Sequence, residues 1–245
     1  MTVFRCLMGS PLGLCAVAIL LAVLAWSVLA DAARAQSVGA GQGAAANYEL
    51  LAPQGGGPFP AVVVMHGCDG VNANTWAWAA RLVGWGYAAL IVDSFRSRGL
   101  NNVCNRGAIL PPSVRAADAI AAKNYLRSLP NIAKGRIGLI GFSHGGWAAL
   151  AASSAFSAVV AYYPLCSGRV PANTLVLIGS ADDWTPSQRC SGGGANLKVY
   201  SGATHAFDAP RGNRTYLGHH MAYDAAAATD AEDRTRRFLA SRLGR

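Results

Sequence analysis

The stretch Arg136 to Ala149, R-I-G-L-I-G-F-S-H-G-G-W-A-A, limits what this chain can fold into more than any other. Its aliphatic run Ile137 to Ile140 reads as a buried strand, and the small residues after His144 read as the start of a helix. Between them Ser143 is flanked by Gly141 and Gly145, the G-x-S-x-G spacing of a sharp strand-to-helix turn with a serine at its tip. Such a turn strains the serine backbone and leaves room only for small residues two positions to either side. The serine oxygen then stands over a helix N-terminus, whose dipole favours developing negative charge. A chain carrying this turn must also supply a sheet for the strand to join.

The rest of the sequence supplies it. Asn47 to Leu51 suits a short edge strand, and Ala61 to Met65 is apolar throughout, as befits a strand buried on both faces of a parallel sheet. Asn74 or Thr75 is placed to cap a helix carrying Trp78, Leu82 and Val83, which stops at Gly84 or Gly86. Tyr87 to Val92 is the next buried strand; Arg96 to Pro112, rich in Gly, Asn and Pro, reads as a surface loop. Ser113 caps a helix running through Leu129, with Val114, Ala117, Ile120, Ala121 and Tyr125 on its apolar side and Pro130 closing it. Past the central turn come a helix to about Ser154 and strands at Ala158 to Tyr162, Thr174 to Ile178 and Leu197 to Tyr200. A final helix covers Asp224 to Leu243. Strands alternating with helices predict a single α/β domain over 47–245, its central sheet mostly parallel with helices on both faces.

Composition narrows the partners. The 245 residues suffice for one sizeable α/β domain, and 52% hydrophobic against 13% charged residues describes a well-buried core. The net charge of +9 comes mostly from arginines, with no run of five or more and no basic stripe interleaved with aromatics, so no nucleic-acid partner is expected.

At the N-terminus, Arg5 precedes an apolar span from Leu12 to Leu29, and Ala33-Arg34-Ala35 forms an A-x-A cleavage pattern before Gln36. This predicts a secretory signal peptide over 1–35 and a flexible Gly/Ala/Gln-rich lead-in over 36–46, with an uncleaved membrane anchor as the alternative. With the signal removed, the chain is expected in the periplasm or outside the cell, without membrane contact. Cys68, Cys104, Cys166 and Cys190 remain after cleavage, and in an oxidising compartment they suggest two disulfides with three possible connectivities. There is no C-x-x-C pair to suggest zinc, and no metal or other cofactor is expected.

A serine hydroxyl at its resting pKa is a poor nucleophile; it needs a base in hydrogen-bond reach and a partner that orients the base. His205 lies in the loop after the Leu197 to Tyr200 strand, where loops of a doubly wound sheet line the crevice. The acid is expected from the loop after Thr174 to Ile178, in which Asp182 and Asp183 compete. Asp182 stands three residues after Gly179 and four before Pro186, and this register favours it, leaving Asp183 as a solvated or supporting neighbour. The order Ser143, Asp182, His205 is that of the α/β-hydrolases. An oxyanion hole needs two N–H donors. The backbone amides of His144 and Cys68 are the candidates. Of the other histidines, His66 is read as a loop support and His219-His220 as polar loop surface.

With these residues in place, the chain resembles the dienelactone hydrolase family. The matching pieces are V-V-V-M-H-G-C-D-G, G-Y-A-A-L-I-V-D-S-F, the following Arg98-Gly99, R-I-G-L-I-G-F-S-H-G-G, G-S-A-D-D-W-T-P and G-A-T-H-A-F, from about residue 61 to 207. The resemblance implies an α/β-hydrolase fold and a cofactor-free carboxylic ester hydrolase acting on a small-molecule ester or lactone. Two departures agree with each other: the namesake enzymes carry cysteine where this chain has Ser143, and a thiol-controlling glutamate where it has Gly67. Arginines bind the substrate carboxylate in those enzymes, which implies Arg96 or Arg98 here. Trp184, Phe207, Tyr163 and Trp76 are the aromatic residues expected to wall an acyl pocket. The family's strand order also sets neighbouring strands beside each other in a way that implies the pairs Cys68–Cys104 and Cys166–Cys190. A peptidase or amidase on the same fold and a non-catalytic binding protein are the alternatives, and the oligomeric state is left open.

Overall fold

In a computed structural model of the chain, residues 48–192 and 196–244 are described. The expected signal segment 1–35 and lead-in 36–46 lie outside them.

Seven strands form the central sheet: β1 (Tyr48–Leu51), β2 (Phe59–Met65), β3 (Ala88–Val92), β4 (Ile132–Phe142), β5 (Val159–Tyr162), β7 (Thr174–Gly179) and β9 (Leu197–Tyr200). Their order is β1-β3-β2-β4-β5-β7-β9. Every neighbouring pair is parallel except β1, which runs antiparallel along β3. Side chains alternate across a strand, so Val62 and Val64 of β2 enter one core while Ala61, Val63 and Met65 enter the other. Helices α1 (Ala73–Gly84) and α4 (Ala225–Leu243) cover the first face; α2 (Pro112–Ser128) and α3 (His144–Ala151) cover the second. This is the mostly parallel, doubly covered sheet that the alternation of elements predicts. Among the described residues, no helix is long and apolar enough to cross a membrane.

Several boundaries move for identifiable reasons. The cap of α1 is Asn72, not Asn74 or Thr75: the Asn72 side chain accepts from the amides of both, and the Thr75 hydroxyl accepts from the Asn72 N–H. Helix α2 starts at Pro112, a residue preorganised for the first helical position, without Ser113 as its cap. Its buried side consists of Arg115, Ala116, Ala119, Ala122 and Leu126, turned from the expected stripe so that Ile120 stays exposed. Alanines provide little hydrophobic contrast, and here they let α2 approach the sheet closely. Strand β4 begins at Ile132 because Lys134-Gly135-Arg136, polar and exposed, continues it outside the core.

The Arg96 to Pro112 segment is more than a surface loop. It contains short 3-10 turns at Arg96–Arg98 and Gly107–Ile109, and Val103 and Leu110 bury against Phe95 in a core of their own. Cys104 bonds to Cys68, tying this segment to the loop after β2. Cys166 bonds to Cys190 beside the small parallel pair β6 (Gly168–Arg169) and β8 (Cys190–Ser191). Both pairings are those implied by the strand order. A hairpin absent from the sequence reading, β10 (Arg214–Tyr216) with β11 (His219–Met221), stands outside the main sheet.

Candidate active site

Strand β4 ends and α3 begins within a single residue. Ser143 occupies that point with φ 52° and ψ −115°, a strained conformation for a non-glycine residue. A Cβ on Gly141 would lie 2.2 Å from the Gly145 carbonyl oxygen, and one on Gly145 would lie 2.4 Å from the carbonyl oxygens of Met65 and His66. The G-x-S-x-G spacing is therefore a steric requirement of this turn.

The loops after β7 and β9 bring two more side chains to the serine. The Ser143 hydroxyl donates to His205 Nε2 at 2.9 Å, and His205 Nδ1–H donates to Asp182 Oδ2 at 2.8 Å. Asp182 is oriented by its own turn: Oδ1 accepts the amides of Trp184 and Thr185, and Oδ2 accepts the Thr185 hydroxyl at 2.8 Å. His205 and Asp182 are both buried. The two loops are bound together at close range. Ala181 N–H donates to the Ala203 carbonyl, Gly202 N–H donates to the Ser180 hydroxyl, and a Cβ on Gly179 would lie 2.0 Å from the Ala203 oxygen.

Tyr163, with φ 37°, follows β5 and sets its ring 4.7 Å from that of His205. Its hydroxyl donates to Asp208 Oδ1 at 2.7 Å, and Asp208 Oδ2 accepts from Trp78 Nε1 and Asn74 Nδ2. Burial, and then the Asp208 charge, push the Tyr163 phenol well above its ordinary pKa, so it remains a neutral donor. Asp208 thus anchors the aromatic wall behind the histidine.

A second set of residues lies under the serine turn. His66 is fully buried; its Nδ1–H donates to the Gly67 carbonyl, and its Nε2 accepts from Ser94 N–H. This is the supporting role expected of it. His144 Nε2–H donates to the Gly107 carbonyl at 3.0 Å, and its Nδ1 accepts from Arg115 Nη1 at 2.9 Å. Burial, reinforced by the Arg115 charge, lowers the His144 pKa to about 4 and holds His66 well below the usual imidazole range. Both rings are neutral near pH 7.

A cleft of about 190 Å³ opens over Ser143 and His205, with Gly67 and Cys68 at its base. Tyr163 and Trp184 line it as expected, joined by Tyr216 and Met221 of the hairpin. Other expected residues lie elsewhere. Phe207 is fully buried behind the histidine loop, packed on Tyr162, Tyr163 and Tyr200, and Trp76 is half-exposed outside the cleft. Arg96 pairs with Asp93, and Arg98 makes a two-pronged bond to Asp118 and a third to the Ser94 carbonyl. Arg98 is occupied by the protein's own acceptors, Arg96 is mostly exposed, and neither lines the cleft, whose arginines are Arg211, paired with Asp69, and Arg214. Asp183 accepts from His219, whose ring stacks on Trp184 at 4.5 Å, so His219 supports a cleft-lining residue and is not free loop surface.

Sequence reasoning passed over Arg115, Asp208 and the hairpin. Arg115 had a signal: it falls on the same helical stripe as Ala119, Ala122 and Leu126, a charged residue at a core position. Asp208 follows Phe207 in the histidine loop without any spacing that marks it.

A model of the dienelactone hydrolase family matches residues 48–243. Among curated proteins, none matches the sequence. Solved structures of similar fold include a dienelactone hydrolase-like promiscuous phosphotriesterase from metagenomic libraries, 18% identical with TM-score 0.62, covering 85% of this chain and 99% of that one. Another is an α/β-hydrolase enzyme from a Medee basin deep-sea metagenome, 17% identical with TM-score 0.60, covering 86% and 98%. A thermophilic esterase of the Planctomycetes species Thermogutta terrifontis is 16% identical with TM-score 0.59, covering 86% and 95%. The family match spans nearly all of the described chain: this protein belongs to the dienelactone hydrolase family and is an ester-cleaving hydrolase.

Proposed function

We propose that the protein is an exported serine hydrolase that cleaves small esters or lactones through Ser143, His205 and Asp182. The observation that carries this reading is the unbroken hydrogen-bond chain from Ser143 Oγ through the imidazole to Asp182. Ser143 attacks the carbonyl carbon while His205 Nε2 takes its proton. Asp182 holds the ring in the required tautomer and stabilises the imidazolium that forms. Negative charge on the carbonyl oxygen is received by the amides of His144 and Cys68, then returns to expel the alcohol, which takes the proton from His205. Water attacks the acyl-enzyme with His205 again as base, restoring the serine.

The small cleft and its Tyr163 and Trp184 walls favour a compact, apolar acyl group. Export is supported by the apolar span Leu12 to Leu29 and by four cysteines paired as two disulfides. Peptide sequencing of the protein recovered outside the cytoplasm is expected to begin at Gln36.

Matched p-nitrophenyl esters and anilides test the chemistry. Ester turnover is expected to exceed anilide turnover, and a fluorophosphonate probe is expected to label the protein but not Ser143→Ala. Faster anilide cleavage would favour a peptidase. Absence of both turnover and labelling would leave only a binding protein.

A further inference from the structure

Arg115 is completely buried, and among the described residues no carboxylate lies within ion-pair distance of it. Its acceptors are neutral: Nη1 donates to the His144 ring at 2.9 Å and Nη2 to the His66 carbonyl at 2.8 Å, while the Phe95 ring lies 5.2 Å from the guanidinium carbon. Its Nε has no hydrogen-bond partner among the described residues. Burial lowers its pKa to about 9, which still leaves it charged at neutral pH. A buried cation with no carboxylate in direct contact, only Asp118 and Asp93 acting on it from farther away, is costly, and a leucine or methionine would fill the α2 stripe with less penalty. Its place in the chain suggests why it is there.

The two arms of the guanidinium reach two separate segments. One carries His144, the residue after the serine. The other ends at His66, two residues before Cys68, and its carbonyl is packed where a Cβ on Gly145 would collide. We propose that Arg115 is a positioning residue for hydrolysis, its fork setting the spacing between the two segments whose amides, at His144 and Cys68, receive the oxyanion. This rests on the Ser143 mechanism above. The arm to His144 also fixes that ring as the Nε2–H tautomer, which in turn holds the Gly107 carbonyl of the disulfide-tied segment. Both segments are thereby held before substrate arrives. The positive charge behind them favours an anion at the position they define.

The test compares wild type, Arg115→Met and His144→Phe, which keeps the His144 amide and removes the acceptor of one arm. With a p-nitrophenyl ester, Arg115→Met is expected to lose about 10- to 100-fold in kcat with KM within about twofold, since misplaced donors act on the transition state. An alkylboronic acid, which forms a tetrahedral adduct with the serine, is expected to lose affinity in step with kcat, while the product carboxylate does not. Nitrogen chemical shifts of His144 are expected to show its tautomer preference weakened in Arg115→Met, a signature that general destabilisation would not produce. If Arg115→Met fails to fold, His144→Phe decides, with an expected fall of about tenfold in kcat, as only one arm is lost. A folded Arg115→Met with kcat within twofold of wild type overturns the proposal, as does the same result for His144→Phe where only that variant folds. A loss confined to KM, or equal weakening of boronate and product, also overturns it. Ester turnover that survives Ser143→Ala is a different failure: it removes the parent mechanism, and this inference with it.

Discussion

Ser143 and His205 are 62 residues apart, and His205 and Asp182 are 23 apart, yet all three were legible because each follows a strand that the sequence marks clearly. Their supports were not. Asp208 and Arg115 are isolated charges in apolar surroundings, and a lone charge on an alanine-rich helix normally faces water. Asp182 is held by three donors besides His205, so Asp182→Asn is expected to keep the fold. The amide favours the wrong imidazole tautomer, and kcat in an ester assay is expected to fall by about 10⁴-fold. Gly179→Ala has nowhere to place its methyl group, 2.0 Å from a backbone oxygen; it is expected to part the acid and base loops, lowering both Tm and probe labelling. The neutral histidines give stability a pH dependence. In the unfolded chain a histidine takes its proton near pH 6.5, but His144 resists it down to about 4, and His66 is likewise held low by burial and by Arg115. Between those values the unfolded state binds more protons, so stability is complete above about pH 6.5 and declines as pH falls toward 4. The His144 contribution is of the order of 3 kcal/mol. Urea titrations at several pH values are expected to show this decline, and a flatter one for His144→Phe.

Elements were read best where hydrophobic contrast was strong. The apolar runs that became β2, β3, β5 and β7 needed no correction of type, whereas α2 was assigned the wrong face because its buried stripe is mostly alanine. The hairpin β10–β11 went unseen because its strands are three residues each, polar and largely exposed, with no alternation to detect. It nonetheless lends Tyr216 and Met221 to the cleft and braces Trp184 through the stack of His219. His219→Ala is expected to raise KM several-fold for esters with a bulky acyl group while changing kcat little, since nothing bonded to Ser143 is touched; steady-state kinetics on an acyl series checks this. The disulfides act at the same scale. They join residues separated by 36 and 24 positions, for which loop-closure entropy gives a stabilisation of about 3 to 4 kcal/mol each. Melting with and without a reductant is expected to show a large loss of Tm. Reduction of Cys68–Cys104 is expected to reduce ester turnover as well, because it frees the segment bearing the Cys68 amide.

At the scale of the molecule, the two cores on either side of the sheet explain why the parallel strands are apolar on both faces and why the overall architecture could be read from the sequence. Parallel strands end at the same rim, so residues from β4, β7 and β9 meet there without any special device. The hairpin behaves differently from this frame. It lends Arg214, Tyr216 and Met221 to the cleft while belonging to neither core, and among the described residues its strands form ladders only with each other. Such a piece can be exchanged like a tool head on a fixed handle. Grafting another short ribbon between Arg211 and Ala222 should redirect which compounds are accepted and leave the reacting serine as responsive as before.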